Sequence, residues 1–242
     1  MTKRPTVSIL GDSISTFAGS NPPECQVFYE QDVCRKSGVL TKNDTWWKQV
    51  ADGLGCDVLV NNAVAGSCIS GSDPTSGCYP GRMHALHTAN ARPDRILIYM
   101  GVNDYGRSVP LGSYAPGRPV PEDVGTFRAG LAAMLLGLRE YYYDNVEIHC
   151  ATLCKTTVPA DPHFVFPAVN PGMYAFDAYN AAIRAIAPVF GCQVADLAAF
   201  DTPYTAFDGL HPDREGMHTL ASLWLRALSG KSMRSLRPDG LT

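Results

Sequence analysis

Five short apolar segments, separated by stretches with helical periodicity, constrain the fold more than any other feature of this sequence. The predicted strands cover 6–10, 57–61, 95–100, 145–152 and 192–197. Strands that alternate with helices form βαβ units, which place the strands parallel and the helices on both faces of the sheet. No boundary divides the 242 residues into two domains. The sequence therefore predicts one α/β domain over 1–230, followed by a loose, basic tail at 231–242.

Helix signals fill most of the intervals between these strands. Asp44 is a predicted N-cap, and Pro121 takes the first turn of a later helix, where Glu122 and Asp123 complement the positive helix end. The predicted helices cover 44–53 or 44–55, 82–90, 121–142, 174–190 and 212–228. The last helix has an apolar face made by Met217, Leu220, Ala221, Trp224, Leu225 and Leu228. Three long segments, 17–43, 105–120 and 153–173, are predicted to be irregular walls or lids.

Polar or small residues follow the strands at one nominal edge of the predicted sheet. Ser13 comes directly after the first strand, Gly66 after the second and Asn103 after the third. Asp208 and His211 precede the last helix. Because open α/β sheets bind ligands at the carboxyl ends of their strands, we expect these five residues to form one site.

This set of residue types is the one that acyl transfer requires. A serine hydroxyl is a weak nucleophile until a base takes its proton, and histidine is the base suited to neutral water. Asp208 lies three residues before His211, so its carboxylate can hold one ring nitrogen and leave the other for Ser13. The backbone N–H groups of Ser13 and Gly66 and the amide of Asn103 are candidate donors to an oxyanion.

Each fragment also has a purely structural interpretation. Gly-Asp-Ser is a common turn with a hydroxyl cap, and Asp208 with His211 could cap the last helix, whose first position suits Pro212. Asp12 and Asp104 are interpreted as polar residues that brace loops. The co-occurrence of all the fragments at one sheet edge favours the catalytic interpretation.

Four blocks of the sequence, taken in order, resemble those of the SGNH (GDSL-type) hydrolases. The blocks are Gly11-Asp12-Ser13, Gly66, Gly101-x-Asn103-Asp104 and Asp208-x-x-His211. The resemblance implies a three-layer α/β/α sandwich with a flavodoxin-like, five-stranded parallel sheet. It also implies one of the family's activities, as esterase, lipase, thioesterase or carbohydrate deacetylase. The sequence contains no G-x-S-x-G motif, and this absence argues against an ordinary α/β-hydrolase.

The resemblance assigns a role to each candidate residue. Ser13 would be the nucleophile, His211 the base and Asp208 the acid that orients it. Ser13, Gly66 and Asn103 would form the oxyanion hole. The chemistry needs no metal and no cofactor.

The expected substrate is a small-molecule ester with a short acyl group, such as acetyl on a sugar. A lysophospholipase or thioesterase with a longer acyl channel is the alternative enzyme. A non-catalytic module that binds a ligand on the same fold is the alternative outside catalysis. Aromatic residues are expected around the site and long aliphatic runs are not, which favours short acyl groups. These aromatic residues are Tyr79, Tyr105, Phe164, Phe166, Tyr204 and Phe207.

Composition and charge exclude other classes of function. The net charge of −3 and the pI near 6.0 give no basis for nucleic-acid binding. No apolar run approaches the roughly 20 residues of a membrane span, and residues 1–5 carry no signal peptide, so a cytoplasmic location is expected. Cys25 with Cys34, and Cys68 with Cys78, could close loops only in an oxidising compartment, so free thiols are expected. No pattern predicts an oligomeric state.

Overall fold

The computed structural model of the protein describes residues 4–232, and its central feature is the predicted parallel sheet. The strands are Thr6–Gly11 (β1), Asp57–Ala63 (β2), Arg95–Tyr99 (β3), Glu147–Ala151 (β4), Thr156–Thr157 (β5), Gln193–Ala195 (β6) and Tyr204–Thr205 (β7). The α-helices are Gln31–Ser37 (α1), Trp46–Gly53 (α2), Pro80–His84 (α3), Val102–Gly106 (α4), Phe127–Tyr142 (α5), Phe176–Ile186 (α6) and Arg214–Ser232 (α7). Short 3-10 helices cover Ser13–Ser15, Lys42–Asp44, Ala187–Phe190 and Leu197–Phe200.

The main sheet has the strand order β2-β1-β3-β4-β6, and all its strands are parallel. All five predicted strands are confirmed, with ends that shift by at most a few residues. The chain leaves β1 toward β2 on one side and then crosses to β3 on the other. The carboxyl ends of β1 and β3 therefore flank a point where the strand order reverses, which is where such sheets open a ligand crevice.

Helices flank this sheet in two groups, so the fold is the three-layer α/β/α sandwich expected. One group is α2 with α7, and the other contains α3, α5 and α6. Trp46 of α2 stacks on Trp224 of α7 with ring centroids 5.3 Å apart, and both side chains are fully buried. All six residues of β1 are buried as well. This core holds β1 in place, and Ser13 follows the carboxyl end of β1.

Two predicted helix starts on this scaffold are wrong because the acidic side chains concerned make other bonds. The N-cap of α2 is Thr45, since the Asp44 carboxylate accepts hydrogen bonds from Thr41 and pairs with Arg214 at 3.0 Å. Helix α5 begins at Phe127 and not at Pro121. Its predicted first turn is an Asx turn, in which the Gly125 N–H donates to the Asp123 carboxylate at 2.8 Å. Such side-chain bonds compete with helix formation.

Two other helix boundaries differ from the prediction because tertiary contacts take up backbone groups. Helix α3 ends at His84 instead of residue 90, and the Leu86 N–H donates to the Tyr142 hydroxyl at 3.0 Å. Helix α7 begins at Arg214, two residues after Pro212. The Pro212 carbonyl accepts a hydrogen bond from Tyr29 at 2.7 Å. The segment before α7 is therefore a separate loop and not the first turn of the helix.

The segments predicted as irregular contain short regular elements. Residues 17–43 include α1, 105–120 begin within α4, and 153–173 include β5. The predicted helix 174–190 divides into α6 and a 3-10 turn. Residues 231 and 232 of the predicted loose tail belong to α7, and residues 233–242 lie outside the described part of the chain. All eight cysteines are free thiols.

Candidate active site

Ser13 lies where β1 turns into a short 3-10 helix. Asp12 is the N-cap of this helix, and its carboxylate accepts a hydrogen bond from the Ile14 N–H at 3.0 Å. Gly11 is required one residue earlier, because a Cβ at this position would lie 2.5 Å from the Ser15 side chain. The turn is therefore tightly packed, and it holds the Ser13 side chain in one place.

Ser13, His211 and Asp208 form a continuous hydrogen-bonded chain. The Ser13 Oγ lies 2.9 Å from His211 Nε2, and His211 Nδ1 lies 2.7 Å from Asp208 Oδ2. Both distances are within normal hydrogen-bond range. The structure thus brings together three side chains that span almost the whole length of the sequence.

The loop that carries Asp208 and His211 is held by its own hydrogen bonds. The second carboxylate oxygen of Asp208 accepts the backbone N–H groups of Leu210 at 3.0 Å and His211 at 2.7 Å. Gly209 between them has φ +92°, a conformation that favours glycine. Burial disfavours ionisation of Asp208, but the bonds from the His211 ring and from these N–H groups outweigh it and lower its pKa. The acid that faces the imidazole is therefore an anion at neutral pH.

The three predicted oxyanion donors follow the carboxyl ends of β1, β2 and β3: Ser13 in a 3-10 helix, Gly66 in a turn and Asn103 in α4. Within the described part of the chain, the Ser13 and Gly66 N–H groups donate to no other residue. Asn103 Nδ2 donates one bond, at 3.0 Å, to the carbonyl of Ser67, the residue after Gly66. A primary amide has two hydrogens, so one remains for a ligand. The set can supply three donors.

Asp104 braces the loop that follows Gly66, as the sequence predicts. Its buried carboxylate accepts the N–H of Ile69 at 2.7 Å and both the N–H and the hydroxyl of Ser70, at 3.1 and 2.6 Å. Burial raises the pKa of Asp104, and these bonds oppose the increase. Because Asp104 follows Asn103 on α4, this contact ties the donor helix to the Gly66 loop.

Arg82 is a buried residue of the site that sequence reasoning missed. Its guanidinium donates to the carbonyls of Gly11 at 2.9 Å, Asn62 at 2.5 Å and Thr75 at 2.5 Å. It thereby joins the carboxyl ends of β1 and β2, which lead to Ser13 and Gly66. Burial lowers the pKa of Arg82 to about 10, which still leaves it charged at neutral pH.

Asp12 shares this interior with Arg82. One of its carboxylate oxygens, Oδ2, is buried without a hydrogen-bond partner among the described residues. Burial raises the pKa of Asp12 to about 7. The Ile14 N–H opposes the increase, the Asp104 charge adds to it, and the Arg82 guanidinium opposes it again. Asp12 therefore braces the turn at an electrostatic cost.

The predicted aromatic surround forms only in part. Phe207 lies beside His211, with ring centroids 6.4 Å apart, and Phe164 packs near Gly209. Tyr105 and Tyr204 are buried, and their hydroxyls bond to the carbonyls of Pro167 and Leu210. Phe166 stacks on Tyr105. Tyr79 precedes α3 and packs next to Gly81, and within the described part of the chain no hydrogen bond or ring contact joins it to Ser13, Asp208 or His211.

Phe28 is the aromatic contact that the prediction missed. Its ring stacks directly on the imidazole of His211. The adjacent pair Phe28-Tyr29 in the polar segment 17–43 was the signal in the sequence. The aromatic pair did not indicate that Phe28 would contact His211.

No metal-binding group of three or more His, Cys, Asp and Glu side chains occurs among residues 4–232. His84 and His87 both stack on Tyr141. In the same part of the chain, no helix is long and apolar enough to cross a membrane.

The fold and the site define a class of α/β/α proteins with a polar crevice at the carboxyl edge of a parallel sheet. Within this class, the model of one family, "GDSL-like Lipase/Acylhydrolase", matches residues 5–157, which is more than half of the chain. The protein belongs to the GDSL-like lipase/acylhydrolase family, and it is a hydrolase.

Solved structures agree with this assignment. A proposed GDSL-like lipase from Bacteroides ovatus is 25% identical with a TM-score of 0.68, and the alignment covers 97% of this chain and 100% of that one. A proposed GDSL-like lipase from Bacteroides uniformis is 23% identical with a TM-score of 0.70, and coverage is 94% and 96%. A possible lipase from Chitinophaga pinensis is 16% identical with a TM-score of 0.63, covering 94% and 99%. The last two demonstrate a common fold only. No curated protein matches the chain significantly.

Proposed function

We propose that this hydrolase is a serine esterase that cleaves short-chain acyl esters through a covalent acyl-enzyme. The observation that carries the proposal is the chain of contacts from Ser13 Oγ to His211 Nε2 at 2.9 Å, and from His211 Nδ1 to Asp208 at 2.7 Å. A serine next to a base that is itself held by a carboxylate is the arrangement that activates a hydroxyl.

In the proposed first step, Ser13 Oγ attacks the ester carbonyl carbon and transfers its proton to His211 Nε2. The carbonyl oxygen gains the negative charge, which the N–H groups of Ser13 and Gly66 and the Asn103 amide stabilise. As the tetrahedral intermediate collapses, the C–O bond to the alcohol breaks, and His211 gives its proton to the departing oxygen. Asp208 stabilises the imidazolium while it exists.

In the second step, water takes the place of the alcohol. His211 removes a proton from the water as its oxygen attacks the acyl carbon. The bond to Ser13 Oγ then breaks, and the proton returns to Ser13 through His211. The acid is released and the enzyme is restored. The mechanism uses only side chains and backbone N–H groups of the protein together with water, so we propose that it is independent of metal ions.

The proposed preference for short acyl groups rests on the lining of the space next to Gly66. A cavity of about 570 Å³ adjoins this residue, and its walls include Ser70, Ser72, Thr75 and Ser76. Each methylene contributes roughly 0.8 kcal/mol only where it is buried against an apolar surface. Hydroxyl-lined walls do not supply such a surface, so a longer chain gains little. The same lining suits a hydroxylated alcohol, such as an O-acetylated sugar.

A series of 4-nitrophenyl esters tests this function. We expect kcat/KM to be highest from acetate to butyrate and to fall by octanoate, with activity retained in EDTA and abolished in Ser13→Ala. An increase in kcat/KM through eight carbons would favour the lysophospholipase or thioesterase alternative. Wild-type protein that hydrolyses none of these esters would favour a non-catalytic binding module.

A further inference from the structure

Arg107 lies beside the proposed oxyanion hole and has no role in the mechanism above. It follows α4 directly, and its backbone N–H donates to the Asn103 carbonyl at 2.9 Å. Residues four apart on a helix share a face, so Arg107 and Asn103 extend toward the same loop. A Cβ added to Gly66 would lie 3.3 Å from the Arg107 guanidinium. The cation is therefore next to a proposed oxyanion donor.

The Arg107 charge is not neutralised within the described part of the chain. Its guanidinium contacts the Cys68 sulfur at 3.7 Å, and among the described residues no carboxylate lies within ion-pair distance of it. Burial raises the pKa of Cys68 to about 12, so this sulfur is a neutral thiol. Arg107 is exposed and can bind a ligand.

Arg107 also forms part of the wall of the cavity next to Gly66. The other polar side chains of this wall are mainly hydroxyls, together with the amide of Gln26 and the carboxylate of Asp73. Among the residues that the structure describes, Arg107 is the only cationic side chain in this lining. The hydroxyls of Ser70 and Thr75 donate to Asp104 and Asp73, so those of Ser72 and Ser76 remain for a ligand. A guanidinium with these two hydroxyls is a set of donors suited to carboxylate or phosphate oxygens.

We propose that Arg107 determines specificity by binding an anionic group, a carboxylate or a phosphate, that the substrate carries close to its ester. This proposal rests on the esterase function proposed above and defines the substrate more narrowly. The anion occupies the cavity next to Gly66 while the ester carbonyl faces Ser13. Either the acyl part or the alcohol part can carry the charge.

Asp73 opposes this preference and provides a second variant of opposite sign. Its carboxylate accepts the N–H of Thr75 at 2.7 Å and the Thr75 hydroxyl at 2.6 Å, and these bonds lower its pKa. It is therefore a fixed negative charge in the same wall. Removing this charge strengthens the preference for anionic substrates.

Two pairs of esters test the proposal and locate the charge. In the first pair, the alcohol part carries the charge in 4-acetoxybenzoate and is neutral in its methyl ester. In the second pair, the acyl part is charged or neutral: monomethyl succinate and methyl butyrate. The measured quantity is the ratio of kcat/KM for the charged ester to that for the neutral one, compared among variants so that intrinsic reactivity cancels.

We expect Arg107→Gln to lower this ratio about 10-fold or more in at least one pair, since a hydrogen bond to a charged group is lost. Arg107→Lys should restore part of the ratio, and Asp73→Asn should raise it a few-fold. Arg118→Gln is the control, an exposed arginine on the same connection outside the cavity lining. Equal ratios in wild type and Arg107→Gln for both pairs would overturn the proposal. So would a loss in Arg107→Gln that is the same for charged and neutral esters.

Calorimetry separates this proposal from the esterase function. In the titration of 4-hydroxybenzoate into the protein, we expect binding to wild type and a loss of affinity of about 10-fold in Arg107→Gln. Absent hydrolysis together with this difference would refute the esterase and keep the anion site. Hydrolysis by wild type together with equal affinities of the two proteins for 4-hydroxybenzoate would keep the esterase function and refute the anion site.

Discussion

The ring of Phe28 lies flat on the imidazole of His211, with centroids 3.6 Å apart and planes 17° from parallel. Phe28 is held in turn by a bond from its N–H to the Thr16 hydroxyl at 2.9 Å and by edge contact with Tyr29. The imidazole is thus fixed on one face by the ring and at Nδ1 by Asp208. This contact limits rotation of the proposed base away from Ser13.

Replacing Phe28 by Leu should lower kcat of the proposed esterase reaction about 3- to 10-fold, because a stacked aromatic pair contributes roughly 0.5–1.5 kcal/mol. KM should change little, since the proposed mechanism places no substrate contact on the face of the imidazole that Phe28 covers. Steady-state kinetics on 4-nitrophenyl acetate measures the effect. Phe207→Leu is the matched control and should cost less, because its ring is tilted and 6.4 Å away. A Phe207→Leu effect as large as that of Phe28→Leu would contradict this prediction.

Asn103→Ala should lower kcat about 10²- to 10³-fold with little change in KM. In the proposed mechanism the amide donates to the oxyanion, which exists in the transition state and not in the bound ester. Asn103→Asp is a useful companion, because it keeps the size of the side chain and removes its donors. A rise in KM at constant kcat in both variants would make Asn103 a substrate-binding residue instead.

Asp12→Asn should stabilise the protein, and the gain should grow with pH. The folded pKa of Asp12 is about 7, above the ordinary value of 3.8, because the buried carboxyl favours its neutral form. The folded state then binds more protons than the unfolded state, so wild type loses stability as pH rises from about 4 to 7. The asparagine does not titrate, and it keeps the acceptor for the Ile14 N–H.

Urea unfolding followed by tryptophan fluorescence, at pH 5 and pH 8, measures this difference. The gain of Asp12→Asn over wild type should be larger at pH 8, by up to roughly 3 kcal/mol, because the interval from pH 5 to the folded pKa of about 7 lies between the two measurements. A gain that is the same at both pH values would contradict the proposed burial cost.

The strands and the triad could be predicted because their signals are local. Each main strand is a short apolar run, and Ser13 follows one of them directly. Asp208 and His211 are three residues apart, so their contact depends on one loop. The sheet topology places Ser13 next to this loop. A parallel sheet predicts in general that residues after its strands lie together at the carboxyl edge, although they are far apart in sequence.

Other parts of the site depend on distant partners and could not be predicted. Arg82 bonds to Gly11, 71 residues earlier in the chain, and a sequence does not reveal which carbonyls a buried arginine will find. The contact of Phe28 with His211 joins the two ends of the domain. The wrong start of α5 has a different origin, since proline followed by acidic residues suits an Asx turn as well as a first helical turn.

Covalent labelling of the nucleophile tests the central claim most directly. The intact protein is treated with a fluorophosphonate ester, and its mass is measured before and after. We expect one adduct per chain, mapped by peptide sequencing to Ser13, and no adduct in Ser13→Ala. His211→Ala should label much more slowly, because the proposed base is absent. Labelling of Ser13→Ala at the wild-type rate, or an adduct on another residue, would contradict the assignment of Ser13 as the nucleophile.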